Sequence, residues 1–149
     1  GATAERGAWL LDGTGLIVST IDLERPERAP TLALVPFPEG MPTTLTVGEA
    51  ADLSPALSPD GAQIAFVRQE RDSARSASWA IGVEGGVAQP VSSGDGQDTQ
   101  PLWSPDGSQT AFVRSNLSGE LQSDVLVVDL ATGAETTVLR NVAQVVWAP

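Results

Sequence analysis

Apolar residues along this chain fall into short runs of four to seven positions, parted by clusters of Gly, Pro, Asp and Ser. The clearest stretch begins with a short strand at Leu102-Trp103-Ser104. Asp106-Gly107 then marks a tight turn, because Gly accepts positive φ and Asp hydrogen-bonds its own backbone. A second strand runs from Gln109 to Arg114, and a polar loop from Ser115 to Ser123 leads to a third, Asp124 to Leu130. Ala131-Thr132-Gly133 turns the chain into a fourth strand, Glu135 to Leu139. Val125-Leu126-Val127-Val128 is apolar at every position, which predicts burial on both faces of its sheet. No segment carries helical periodicity.

The same pattern occurs more than once. Residues 58–68 read SPDGAQIAFVR and residues 104–114 read SPDGSQTAFVR, identical at nine of eleven positions with an offset of 46. A weaker copy lies 48 residues before the first of these, where Trp9-Leu10-Leu11-Asp12-Gly13 answers Leu57-Ser58-Pro59-Asp60-Gly61. Val145-Val146-Trp147 begins a fourth copy 44 residues after Trp103. A period of 44–48 residues holding four strands is that of a β-propeller blade. In the second copy the third and fourth strands are expected at Trp79–Val83 and Val87–Val91, and in the first at Leu32–Phe37 and Thr43–Val47. The fold class is therefore all-β, a β-propeller of four-stranded antiparallel blades. About three blades form one partial ring: blade 1 near 7–47, blade 2 near 53–92 and blade 3 near 100–139, with the start of blade 4 near 142–149.

Three blades are too few to close a ring, since propellers have four to eight. An open wedge leaves blade faces to be covered, either by a second copy of the chain or by the remaining blades of a propeller. Protein partners of that kind are the expected ones.

Composition narrows the chemistry. The chain has no His, no Cys and no Lys, and all eight of its basic residues are Arg. A Ser-His-Asp triad, a Cys nucleophile, a Schiff-base Lys and the usual zinc sites cannot be assembled from it. A net charge of −11 opposes binding to nucleic acid or anionic lipid, which require an excess of Lys and Arg. No apolar run approaches the length of a membrane span. The expectation is a non-enzymatic module with no cofactor, no metal, no nucleic-acid partner and no direct membrane insertion.

With SPDG followed by IAFVR, and again WSPDG, VVDLATG and ETTVL, the chain resembles the WD40-like (PD40) repeats of TolB-type β-propellers. The resemblance implies a bacterial, extracytoplasmic setting (periplasmic, secreted or outward-facing) and use of a propeller face for protein contacts. It also implies an alternative, the non-catalytic gating propeller of a prolyl-oligopeptidase-like serine peptidase. A carboxylate-based glycosidase is a third reading.

Several residues stand out. Asp12, Asp60 and Asp106, with Gly13, Gly61 and Gly107 and with Pro59 and Pro105, occupy one repeated turn and read as structural. Paired catalytic carboxylates sit about 5–10 Å apart around one bond, whereas repeated turns are spread around a ring. Trp9, Trp103 and Trp147 recur at one position and read as wedges between blades. The loop Ser93-Gly94-Asp95-Gly96-Gln97-Asp98 holds carboxylates but lacks the spacing of a calcium loop, and reads as a connection. Arg68 and Arg114 match across copies, and Arg71 and Arg75 join Arg68 in a local basic group beside Trp79. Loops on a rigid scaffold are common binding sites, so Arg68, Arg71, Arg75, Trp79 and Arg114 are the candidate partner-binding residues.

Overall fold

The computed structural model describes residues 7–118 and 122–142, and none of these is helical. The start of the fourth copy, Trp147 included, lies outside the described residues. Blade 1 comprises β1 (Ala8–Trp9), β2 (Gly15–Thr20), β3 (Thr31–Pro36) and β4 (Thr43–Thr44). Blade 2 comprises β5 (Ala51–Leu57), β6 (Gln63–Gln69), β7 (Ser76–Gly82) and β8 (Gln89–Pro90). Blade 3 comprises β9 (Gln97–Trp103), β10 (Gln109–Ser115), β11 (Ser123–Asp129) and β12 (Glu135–Val142). Neighbouring strands within each blade are antiparallel, and one parallel bridge, Ser76 to Gln97, joins blades 2 and 3 into a continuous sheet.

The repeated turn holds the first two strands of each blade together. In blade 2 Ser58 Oγ donates to Asp60 Oδ1 at 2.6 Å, and that same oxygen accepts the Ala62 N–H at 3.0 Å. Blade 3 repeats this with Ser104, Asp106 and Ser108 at 2.7 and 3.0 Å. Gly61 and Gly107, at φ +73° and +72°, take the left-handed position that the turn requires. Blade 1 keeps the turn although Leu10 replaces the serine. There Thr14 supplies both its N–H and its hydroxyl to Asp12 Oδ1, at 2.9 and 2.7 Å.

Each inner strand of blades 2 and 3 carries one extra residue. The register of β5 on β6 slips between Leu53 and Ala56, where Ser54 has φ +53°. In β9 the equivalent residue is Gln100, at φ +55°, and the register slips at the same place. Asp52 and Leu57 are five positions apart, so a regular strand would point them to opposite faces. The bulge inserts one residue, and both side chains reach the same face.

That face is where blades meet. Ile64, Phe66 and Ile81 of blade 2 pack with Ile17, Leu32 and Leu45 of blade 1 in one buried cluster. Phe112, Leu126 and Val128 of blade 3 form the second, with Val91 of blade 2 against them. At roughly 1.5–3 kcal/mol per fully buried large apolar side chain, these two seams hold the wedge together.

Candidate functional site

The inner-strand bulge delivers a carboxylate to each seam. Asp52 lies opposite Arg68 across β5 and β6, and accepts Nε at 2.7 Å and Nη2 at 2.8 Å. Asp98 lies opposite Arg114 in the same way, at 2.6 and 2.8 Å. The carboxylates are 2 % and 0 % exposed. Each guanidinium is thus gripped in a fork geometry, which fixes its plane. Arg68 lies 4.6 Å from the centre of the Trp79 ring and Arg114 lies 5.1 Å from that of Phe112.

At the second seam a hydroxyl from the preceding blade completes the arrangement. Ser92 Oγ accepts the Ser78 N–H at 2.8 Å and donates to Asp98 Oδ2. Thr46 Oγ1 likewise accepts the Leu32 N–H at 2.9 Å. Ser19 Oγ and Ser76 Oγ donate to the carbonyls of Asp52 and Asp98, at 2.8 and 2.7 Å. At the second seam Glu135 adds a third arm, accepting Arg114 Nη1 at 2.9 Å and the Ser93 N–H. Burial pushes the Glu135 carboxyl up, but the bonds from Arg114 and Ser93 outweigh it and leave the group below its ordinary value. The hydrogen bonds it donates to Asp98 hold the Arg114 guanidinium charged far above its usual range.

The candidate residues thus divide. Arg68, Trp79 and Arg114 lie in the seams, with their polar groups and rings engaged by their own blades. Arg71 and Arg75 stand exposed on the loop between β6 and β7. Arg71 also borders a cleft of about 200 Å³ at that end of the wedge, along with Glu27, Arg28, Glu49 and Glu70. Asp12, Asp60 and Asp106 are separated by whole blades and each is tied into its own turn. Serine and backbone hydrogen bonds bring Asp106 down to about 2.

The tryptophans occupy equivalent places with unequal surroundings. Trp103 is buried in the second seam, where its Nε1 donates to the Ala56 carbonyl of blade 2 at 2.9 Å. Trp9 holds the same position in blade 1 and is 52 % exposed. Leu16, Val18 and Val35 share its face by register, and Phe37 meets its ring edge-on at 5.5 Å between centroids. This is the face that in blades 2 and 3 receives the preceding blade. Among the described residues no blade lies in front of it. Thr20 stands where Arg68 stands in blade 2, and among the described residues the face carries no ion pair.

No family model and no curated protein matches the sequence. Solved structures do match. A putative TolB from Agrobacterium tumefaciens superposes with a TM-score of 0.77 at 22% identity, covering 93% of this chain and 50% of its own. The chain has a TolB-like β-propeller fold. TolB from Acinetobacter baumannii follows at 0.73 and 16%, covering 92% of this chain and 32% of its own. The β-propeller domain of the Trilobed protease from Pyrococcus furiosus, described as having an open velcro topology, gives 0.59 and 17%, over 91% and 44%. The chain spans 32–50% of the length of these proteins, as an open partial propeller of the TolB-like kind. At these identities the likeness is one of fold.

Sequence reading missed the buried carboxylates. A signal was present, since Asp52 and Asp98 share the 46-residue offset and each precedes its arginine by 16 positions.

Proposed function

We propose that this chain is a non-enzymatic protein-binding and assembly module, whose ring is completed by further blades on another chain or a longer polypeptide. The observation that carries the reading is the outer face of blade 1. It presents Trp9, Leu16, Val18 and Val35 as the inner blades present theirs, but without a neighbouring blade among the described residues. Soluble proteins seldom leave such an apolar patch uncovered. The absence of His, Cys and Lys supports a role without catalysis. So does the locking of Asp12, Asp60 and Asp106 into separate turns. The exposed loop carrying Arg71 and Arg75 offers a second contact surface for a protein with acidic groups. The TolB-like fold supports a bacterial, extracytoplasmic location, and the charge of −11 speaks against nucleic acid as a partner.

The test combines light scattering with binding of an apolar-surface dye, on the wild-type chain and on Trp9→Asp. An assembly module either associates at micromolar concentration or, as a monomer, binds dye in a Trp9-dependent way. A monomer that binds none, with the variant unchanged, refutes the reading.

The fold of the Trilobed protease propeller favours one alternative, a gating propeller of a prolyl-oligopeptidase-like peptidase. A longer coding sequence with a Gly-x-Ser-x-Gly segment downstream would decide for it.

A further inference from the structure

The connector from β4 to β5 and the connector from β8 to β9 are equivalent in sequence but lie differently on the seams they cross. Gly48, Ala50 and Asp52 of the first answer Gly94, Gly96 and Asp98 of the second, each at the offset of 46. At the second seam the connector lies flush. A Cβ on Gly96 would come within 2.7 Å of the Ser115 carbonyl oxygen and 2.9 Å of Arg114 Cγ, and one on Gly94 within 3.3 Å of Ala77 Cβ. At the first seam Ala50 carries the methyl group for which the position of Gly96 has no room, and a Cβ on Gly48 would meet nothing within 4 Å. That connector stands off its seam, and beside it opens the cleft of about 200 Å³.

The cleft adjoins the buried Asp52–Arg68 pair, since Ala51 and Gln69 line it one position further along β5 and β6. Blade 1 closes it from the other side, where the Pro30 carbonyl accepts the Asp52 N–H at 2.9 Å. Both blades contribute charge. Arg28 comes from the loop between β2 and β3, Arg71 from the loop between β6 and β7, and Glu49 from the connector itself. Glu27 and Glu70 line the cleft next to the two arginines in sequence. Among the described residues none of these five groups forms an ion pair.

We propose that this cleft binds a small zwitterion, an α-amino acid with a short aliphatic side chain. Two unpaired guanidiniums from different blades give a carboxylate charge-assisted donors. Three carboxylates repel a second anion and attract an ammonium group. A ligand with one charge leaves the opposite set unanswered, whereas a zwitterion meets both. Size selects within that class. Drug-sized ligands fill roughly 300–1,000 Å³, whereas this cleft has room for about seven waters at ~30 Å³ each, close to the size of valine. Pro30 and Ala51 offer its methyl groups an apolar wall. The cleft is open and its charged side chains are exposed, so the affinity is modest, with a Kd of about 1 mM. The site is separate from the outer face of blade 1 and independent of the assembly reading.

The test is an amide NMR titration of the whole chain with L-valine. The expected result is a saturable shift of the Ala51, Gln69, Glu70 and Arg71 resonances. N-acetylvaline lacks the ammonium group and valinamide lacks the carboxylate, so each should bind at least about tenfold more weakly. Arg71→Gln and Glu49→Gln should each weaken valine by about tenfold. Both side chains are exposed, so the urea midpoint of either variant should match that of the wild type. Because the ligand bridges two blades, saturating valine should raise Tm in the wild type and not in the double variant. No saturable shift at about 20 mM valine, equal binding of the blocked compounds, or full binding by the folded double variant overturns the proposal. Each of those results leaves the outer face of blade 1, and the assembly reading built on it, as they stand.

Discussion

Replacing Arg114 with Met tests whether the buried ion pairs hold the seams. The substitution keeps most of the aliphatic stem and removes the guanidinium. Asp98, 0 % exposed, then loses both of its charged donors and keeps only the Ser92 hydroxyl. Removing one partner of a buried pair costs about 3–5 kcal/mol, because the remaining charge stays desolvated. Arg114 is itself 14 % exposed and Glu135 21 %, so water reaches the site from one side and the lower end, about 3 kcal/mol, applies. In a chain of this size that corresponds to a fall in Tm of roughly 10 °C. The assay is urea unfolding followed by tryptophan fluorescence. Adding Asp98→Leu should recover at least half of the loss, since an apolar pair of similar volume replaces an ionic one at little net cost. As a control, Arg25→Met breaks the exposed pair to Asp22 at 3.6 Å and should change stability by no more than about 0.5 kcal/mol. A loss under about 1 kcal/mol for Arg114→Met at unchanged m value would refute the reasoning. So would a double variant as unstable as the sum of the single ones.

Three further outcomes follow from the same geometry. Trp103→Phe keeps the wedge but removes the hydrogen bond that crosses the seam to the Ala56 carbonyl, which keeps its ladder partner Ala65, costing about 0.5–1.5 kcal/mol by the same urea assay. Gly107→Ala meets nothing nearer than Pro59 Cδ at 3.7 Å, so its cost is the left-handed backbone alone, about 1–2 kcal/mol. Asp106 should titrate in the folded chain with a midpoint about 2, read by NMR. Because that value and that of Glu135 are lowered by folding, their stabilising effect is complete above the ordinary carboxylate range and is lost as pH falls through the folded values. Stability that instead rose on acidification below pH 4 would contradict this.

The turns were legible because their chemistry is local. Asp-Gly specifies its backbone conformation within four residues, and the offset of 46 then counts the blades. The inner strands were harder to read. Leu102-Trp103-Ser104 reads as a short strand because Asp98 and Gln100 interrupt the apolar pattern, yet β9 extends from Gln97 to Trp103. The polar residue is there to meet an arginine 16 positions away, and the bulge that aims it also breaks the alternation on which strand reading depends. The outer strands differ for a related reason. β4 and β8 pair over two residues each, whereas β12 runs for eight along β11. Pairing with the third strand sets those lengths, and local propensity carries no record of it. Arg68 and Trp79 illustrate the limit for sites. In sequence they sit beside Arg71 and Arg75 as one basic and aromatic group. In space the guanidinium of Arg68 turns inward to Asp52 and stacks on Trp79, while the two loop arginines remain in water.

The contrast between the ion-paired inner seams and the neutral outer face of blade 1 also makes a physical argument about docking. An ion pair formed within a permanently closed seam is desolvated once, during folding. On a face that alternates between water and a partner it would be desolvated at every association. A face of Trp9, Leu16, Val18 and Val35 with Thr20 at its edge carries no such penalty. Thr20→Arg turns this into a measurement. Thr20 is only half-buried in the isolated wedge, so the new guanidinium stays hydrated and unfolding stability should change by no more than about 0.5 kcal/mol. At a docked seam it loses that water, and no carboxylate among the described residues stands beside it as Asp52 stands beside Arg68. Association should therefore weaken at least tenfold, by light scattering. Unchanged association of the folded Thr20→Arg chain would mean that this edge of blade 1 does not enter a seam.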